Sequence, residues 1–207
     1  MLNPAPGLEA GQSNPGEGNS FMSGNMVIRL RTPLTRADMG ALEIGDILEL
    51  TGTIFTARDA AHKRMQNAWK EGKPLPVDLK NQFIFYAGPC PAKPGRPVGS
   101  IAPTTSMRMD SFVEMTFELG MLGMIGKGER SDFVSGLCRK YGGVYLLSIG
   151  GASALISNQV KSCQVVAWED LGTESVKRLE VENLRLIVGI DARGRVFQTR
   201  EIAKYRR

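Results

Sequence analysis

A chain of 207 residues, 42% hydrophobic and 23% charged, has an ordinary globular composition and enough apolar surface for a sizeable core. Its net charge of +5 is scattered among acids and aromatics make up only 7%, which argues against the clustered cations and interleaved aromatics of a nucleic-acid surface. No apolar run approaches the ~20 residues of a membrane span, and Cys90, Cys138 and Cys163 are too few and too dispersed for a disulfide framework, a CxxC metal site or a four-cysteine cluster.

Residues 1–25 are rich in Pro, Gly, Asn and Ser and cannot bury enough surface to offset chain entropy, so a disordered tail is expected there, with the domain spanning 26–207. The N-terminus lacks a basic-then-apolar leader, and a cytoplasmic protein is expected. Val27–Leu30 reads as a strand and Thr35–Leu42 as a short helix. Ile44-Gly45-Asp46 turns into a strong strand over Ile47–Phe55. Thr56, with Asp59 three residues on, imitates a capping box and opens a helix to Lys70 that carries Arg58 in its first turn. Pro74 and Pro76 close that helix off.

Phe83–Ala87 is a compact apolar strand, and the Pro/Gly-rich stretch Gly88–Gly99 is a loop. Ser111 and Glu114 have capping-box spacing within a helix expected over Asp110–Leu119. Met121–Ile125 reads as a strand ending in Gly126-Lys127-Gly128, then a helix over Ser131–Lys140. A strand over Val144–Ile149 ends in Gly150-Gly151 and leads to a helix over Ala152–Gln159. Gln164–Trp168 and Leu184–Ile190 are further strands, and Asp191-Ala192-Arg193-Gly194 turns into Val196-Phe197-Gln198. Strands alternate with short helices, so the class is α/β.

Arg58, Arg108 and Lys127 each fall just beyond an expected strand end, near a turn into a helix. Ligands of open α/β sheets settle outside the carboxyl ends of strands, where helix N-termini favour anions. Arginine forks suit carboxylates and lysine supplies a compact charge, so this set suits a small dicarboxylate. Solvated surface cations are the plainer alternative. Thr104, Thr105 and Ser106 are equally suited to turn and cap positions, and a hydroxyl acts as base or nucleophile only with an activating neighbour. His62, the single histidine, lies one helical turn after Arg58 and is either an accessory to the same site or structural. Gly126-Lys127 is not a P-loop, because Gly128 stands where Ser or Thr is required. Gly150-Gly151 does not extend into GxGxxG, and no Ser-His-Asp set can be argued. Met107, Met109, Met115, Met121 and Met124 are expected to fill core, and the thiols to be mostly buried.

Taken in order, Thr51-Gly52-Thr53 through His62, Ala87-Gly88-Pro89, Pro103-Thr104-Thr105 through Asp110, Gly126-Lys127-Gly128 and Ser148-Ile149-Gly150-Gly151 resemble the β subunit, or C-terminal domain, of iron–sulfur-dependent class I fumarases and tartrate dehydratases. The resemblance implies a swivelling β/β/α domain with a mixed sheet and short flanking helices. It also implies a hydro-lyase of the tricarboxylic acid cycle that reversibly hydrates fumarate to (S)-malate. The implied 4Fe-4S cluster is ligated by a partner α subunit and not by this chain, in an α2β2 assembly, so that this chain is half of an active site.

By the same resemblance Arg58, Arg108 and Lys127 bind substrate, Thr104 binds it and is the proposed catalytic base, and Thr105, Ser106 and Met107 are substrate-binding too, shaping the loop through backbone contacts. Many fumarases have Ala-Gly where this chain has Ser106-Met107, a pair familiar from tartrate dehydratases, whereas Ser148-Ile149-Gly150-Gly151 is fumarase-like. Fumarate is the preferred substrate, with tartrate or a methylated fumarate as alternatives. A non-catalytic anion-binding scaffold is the rival of a different class.

Overall fold

The computed structural model describes residues 27–149 and 151–205; the tail expected over residues 1–25 lies outside the described residues, as does Gly150. Its strands are β1 (Ile28–Arg31), β2 (Ile47–Thr56), β3 (Phe83–Phe85), β4 (Gly123–Gly126), β5 (Val144–Ser148), β6 (Val160–Ala167) and β7 (Val176–Ile190). Its helices are α1 (Arg36–Gly40), α2 (Asp59–Lys70), α3 (Val113–Glu118), α4 (Asp132–Tyr141), α5 (Ser153–Gln159) and α6 (Phe197–Ala203), with 3-10 segments over Ser106–Phe112 and Glu169–Glu174.

The sheet runs in the order β1-β2-β3-β4-β5-β7-β6, and β2 also pairs with β7. That extra pairing closes β2, β3, β4, β5 and β7 into a barrel-like ring. The neighbours from β1 to β5 are parallel, whereas β7 runs antiparallel to β2, β5 and β6. This mixed sheet with short flanking helices is the one expected of a swivelling β/β/α domain.

Strand alternation sorts the apolar side chains into two cores. Leu48, Leu50, Ile54, Phe83, Phe85, Ile125, Leu146, Leu184 and Leu186 belong to one cluster, enclosed by the ring. Ile84, Tyr86, Met124 and Tyr145 point the other way and pack with Ala61, Met65, Met109, Val113, Phe117 and Val134 of the helical layer. Covered on both faces, β3 is an unbroken apolar run rather than an alternating one. Each fully buried large side chain contributes about 1.5–3 kcal/mol of transfer free energy. The closed ring leaves the carboxyl ends of β2, β3, β4 and β5 side by side at one rim, and the helices start there.

The structure corrects several local expectations. Thr56 does not cap a helix: it is the last residue of β2, buried and paired to Phe85 and Lys177 on its two sides, and its hydroxyl accepts the Lys177 amide at 3.3 Å. Arg58 is the N-cap residue of α2 and gives no side-chain cap. The Ser111–Glu114 capping box is likewise absent: α3 starts at Val113 after a 3-10 segment, with Phe112 at its N-cap and no side-chain cap, while the neighbouring Asp110 carboxylate accepts from Arg130 and the Ser131 amide. Met107 is 46% exposed, unlike the buried Met109, Met115, Met121 and Met124, and Cys90 is exposed while Cys138 is buried. Phe197 and Gln198 open α6, and Val196 makes the only strand-like bridge of that stretch among the described residues, to Ile190.

Candidate active site

The site grows from three adjacent strand ends. Beyond β2 the chain passes through Ala57 to Arg58 and enters α2. Beyond β3, Tyr86 accepts the Thr104 amide at 2.7 Å and Ala87 bridges Pro103, so the hydroxyl-rich loop lies along that end. Beyond β4, Lys127 bridges Thr105 in parallel fashion. Thr104, Thr105 and Lys127 therefore share one rim position, with Thr104 half-buried and Thr105 and Lys127 exposed.

Ser106 stitches this loop to Lys127. Its hydroxyl accepts the Lys127 amide at 2.9 Å, its own amide donates to the Lys127 carbonyl at 3.1 Å, and Tyr145 Oη lies 3.0 Å from Ser106 Oγ and 3.1 Å from the Gly128 carbonyl. One proton assignment satisfies the set. Ser106 donates to Tyr145, which donates to Gly128, while Lys127 N–H donates to Ser106. Burial pushes the Tyr145 phenol up to about 12, so it stays a donor at neutral pH. A Cβ on Gly126 would lie 1.9 Å from Ser106 Oγ, which is why glycine precedes Lys127.

The two arginines are joined by carboxylates. Arg108 grips Asp59 with both Nε, at 2.9 Å, and Nη2. Asp59 Oδ2 also stands 3.9 Å from Arg58 Nη2, and Glu174 Oε1 stands 3.4 Å from the same nitrogen. Hydrogen bonds from Arg108 hold the Asp59 carboxyl below the usual carboxylate range. Arg58 Nε is buried without a partner, and the Arg108 side chain is 49% exposed. Cationic donors thus stand at the rim beside an accessible loop of hydroxyls.

His62 touches Arg58 through the backbone. Its Nδ1 lies 2.8 Å from the Arg58 carbonyl, and because a carbonyl only accepts, Nδ1 carries the proton. The ring stacks on Phe112 and meets Tyr86 edge-on. Burial drives its pKa from 6.5 down to about 4, so it is neutral at physiological pH, with Nε2 buried and unpartnered. Met107 projects outward from the loop.

Asp59, Glu174 and Tyr145 were not read from the sequence as site residues. Asp59 is adjacent to Arg58 and carried a signal, mistaken for capping. Glu174 and Tyr145 reach the site only through folding, and no local spacing marks them. Among the described residues, no group of three or more His, Cys, Asp or Glu side chains is arranged to hold a metal ion. Cys90, Cys138 and Cys163 differ in burial and form no such set.

The family described as Fumarase C-terminus matches residues 8–200. The chain belongs to this fumarase C-terminal family. Its relatives include fumarate hydratase 1, mitochondrial, of Leishmania major, 46% identical over 153 residues, or 72% of this chain and 28% of that protein. The anaerobic class I fumarate hydratase of Escherichia coli (strain K12) is 39% identical over 163 residues, covering 78% of this chain and 30% of that protein. The chain therefore spans less than a third of those fumarate hydratases. The L(+)-tartrate dehydratase subunit beta of Escherichia coli (strain K12) is 35% identical over 170 residues, covering 80% of this chain and 83% of that subunit. In this family member no described helix is long and apolar enough to cross a membrane.

Proposed function

We propose that this chain is the β subunit of a hydro-lyase that reversibly hydrates fumarate to (S)-malate in the cytoplasm, acting with an α subunit in an α2β2 assembly. The observation that carries the reading is the gathering of Arg58, Arg108, Lys127 and Thr104 at one rim of the parallel strands. Oriented guanidinium and ammonium donors there suit the two carboxylates of a short diacid.

Arg58 and Arg108 bind carboxylate, and Lys127 adds a compact positive charge. Thr104 holds or releases a proton at Oγ1 next to the reacting carbon. A hydroxyl is a poor acid, so this role depends on neighbouring positive charge to stabilise the alkoxide. Thr105, Ser106 and Met107 complete the substrate loop; Ser106 does so by holding Lys127 in place, since its hydroxyl is already engaged. His62 is an accessory that supports Arg58 from beneath.

The 4Fe-4S cluster does not fit this chain, whose described cysteines are dispersed; its ligands belong to the α subunit. Apolar Met107, Phe133 and Ile149 are exposed close to the same strand ends, as suits a face completed by another polypeptide. A second reading, an L-tartrate dehydratase β subunit, is favoured by the near-complete coverage of that relative and by Ser106-Met107. A methylated fumarate is a related alternative, and a non-catalytic anion-binding scaffold is the reading of another class.

The test is anaerobic co-expression with the cluster-bearing subunit, followed by assays of fumarate hydration and tartrate dehydration. Fumarate turnover that needs both chains supports the proposal. Tartrate turnover reassigns the substrate, and an inactive complex with an intact cluster leaves the scaffold.

A further inference from the structure

Helix α2 begins with a residue that cannot cap it. Arg58 occupies the N-cap position and its side chain has only donors, so the first amides of α2 need an acceptor from elsewhere. Glu174 supplies it. Its Oε2 accepts the Ala60 amide at 2.9 Å, and its Oε1 lies 3.4 Å from Arg58 Nη2. One carboxylate thus fixes both the start of the helix and the guanidinium projecting from it.

Glu174 is itself held in place. Lys177 is buried, and its Nζ is ringed by the carbonyls of Gly172, Thr173 and Ser175 at 2.8, 3.3 and 3.4 Å and by Ser175 Oγ at 2.6 Å, four oxygens that share its three N–H groups. Burial lowers the Lys177 pKa, yet the ring of oxygens compensates the ammonium. Arg64 of α2 forms a bidentate pair with Asp170 at 2.8 and 2.5 Å, a second tie between helix and segment. Gly88 makes the approach possible: a Cβ there would lie 3.0 Å from the Thr173 carbonyl and 3.1 Å from Arg58 Cδ.

We propose that Glu174 is a positioning residue for the reaction, orienting the Arg58 guanidinium toward the substrate carboxylate from a loop pinned by Lys177. The inference rests on the proposed role of Arg58 and extends it to a residue distant in sequence. Displacing a binding guanidinium by about an ångström costs on the order of 100-fold in rate, so the arrangement acts through geometry rather than bulk stability.

The experiment compares Glu174→Gln, Glu174→Asp and Arg58→Met in the full co-purified complex, by steady-state kinetics on whichever diacid it turns over and by thermal unfolding. The glutamine oxygen still accepts the Ala60 amide but loses the charge facing Arg58. Glu174→Gln is therefore expected to leave the melting temperature near that of the parent and to lower kcat/KM roughly 10- to 100-fold, mostly through KM. Glu174→Asp, which keeps the charge on a shorter arm, should recover part of that loss. Glu174→Gln within about twofold of the parent, beside a defective Arg58→Met, overturns the inference alone. Arg58→Met with parental kcat/KM overturns the role of Arg58 and this inference with it. If the complex turns over neither diacid, the function reading fails and the inference falls with it.

Discussion

The hydroxyl of Ser106 fills the space that a side chain on Gly126 would occupy, the two lying so close that a Cβ would come within 1.9 Å of Ser106 Oγ. A glycine in a strand and a serine in a loop are thus one device. Gly126→Ala should push the loop off β4 and destabilise the protein by about 1–3 kcal/mol, the usual cost of overpacking. Removing the obstacle with Ser106→Gly in the same chain should recover part of that loss, although the hydrogen bond to Lys127 goes with it. Denaturant midpoints of the two single variants and the double variant check this. Simple addition of the two losses would show that Ser106 and Gly126 are not coupled.

Arg108 and Thr104 separate binding from chemistry. Arg108 is half-exposed and its ion pair with Asp59 is solvent-facing, so Arg108→Met should cost at most about 1 kcal/mol of stability. In the reconstituted complex it should nevertheless abolish measurable turnover. Thr104→Ala should lower kcat by on the order of 100-fold or more with a smaller change in KM, as expected of a group acting on the proton in the transition state. A raised KM with unchanged kcat would make Thr104 a binding residue instead.

Burial of His62 makes stability depend on pH in a definite direction. Its folded pKa of about 4 lies below the ordinary 6.5, so between these values the unfolded chain binds a proton that the folded one excludes. Its contribution is present above pH ~6.5 and is lost as pH falls toward ~4, in total on the order of 3 kcal/mol. Burial is the chief cause, with Arg130 adding to it, while the Arg58 carbonyl and Asp59 oppose it. His62→Phe keeps a ring between Phe112 and Tyr86 and cannot titrate. The difference in unfolding free energy between parent and variant should slope across that window and flatten above it. A constant difference would mean that His62 is not the titrating group.

Two of the rim cations were legible because each follows an apolar run that is recognisable by itself: Ile54 and Phe55 before Arg58, Met124 and Ile125 before Lys127. Arg108 instead lies inside the 3-10 segment Ser106–Phe112, with no strand directly before it. The mixed order of the sheet was legible through the family resemblance rather than the strands themselves. The first half of β7 was missed because Lys177, Arg178, Glu180 and Glu182 interrupt its apolar residues. It is a strand because β2 and β6 pair with its two edges, which no window of sequence contains. Glu174 escaped notice for the same reason, since its partners Arg58 and Ala60 are brought to it by chain closure. Local pattern marks where a strand ends; tertiary pairing decides which carboxylate meets which arginine there.

Asp110, the last residue of the Pro103–Asp110 motif, belongs to the scaffold, and its contrast with Asp59 can be measured. Arg130 Nε donates to Asp110 Oδ1 at 2.6 Å, with the two side chains only 2% and 5% exposed. The guanidinium lies 4.6 Å from the Tyr145 ring centre and 5.5 Å from that of Tyr86. Burial alone would lower the Arg130 pKa, but the field of Tyr86 and Asp110 outweighs it and the pKa is raised, so the charge stays. Asp110→Asn would leave that charge buried without its counter-ion, at a cost of about 3–5 kcal/mol. A melting temperature lower by roughly 10 °C is expected for a chain of this size. Asp59→Asn, whose partner Arg108 faces solvent, should shift it by no more than a few degrees. Replacing both members of the buried pair, as Asp110→Leu with Arg130→Met, should restore much of what Asp110→Asn loses, because the penalty lies in the unpaired charge rather than in the missing bond. Equal melting temperatures for Asp110→Asn and Asp59→Asn would refute this division of the two ion pairs into a structural and a functional one.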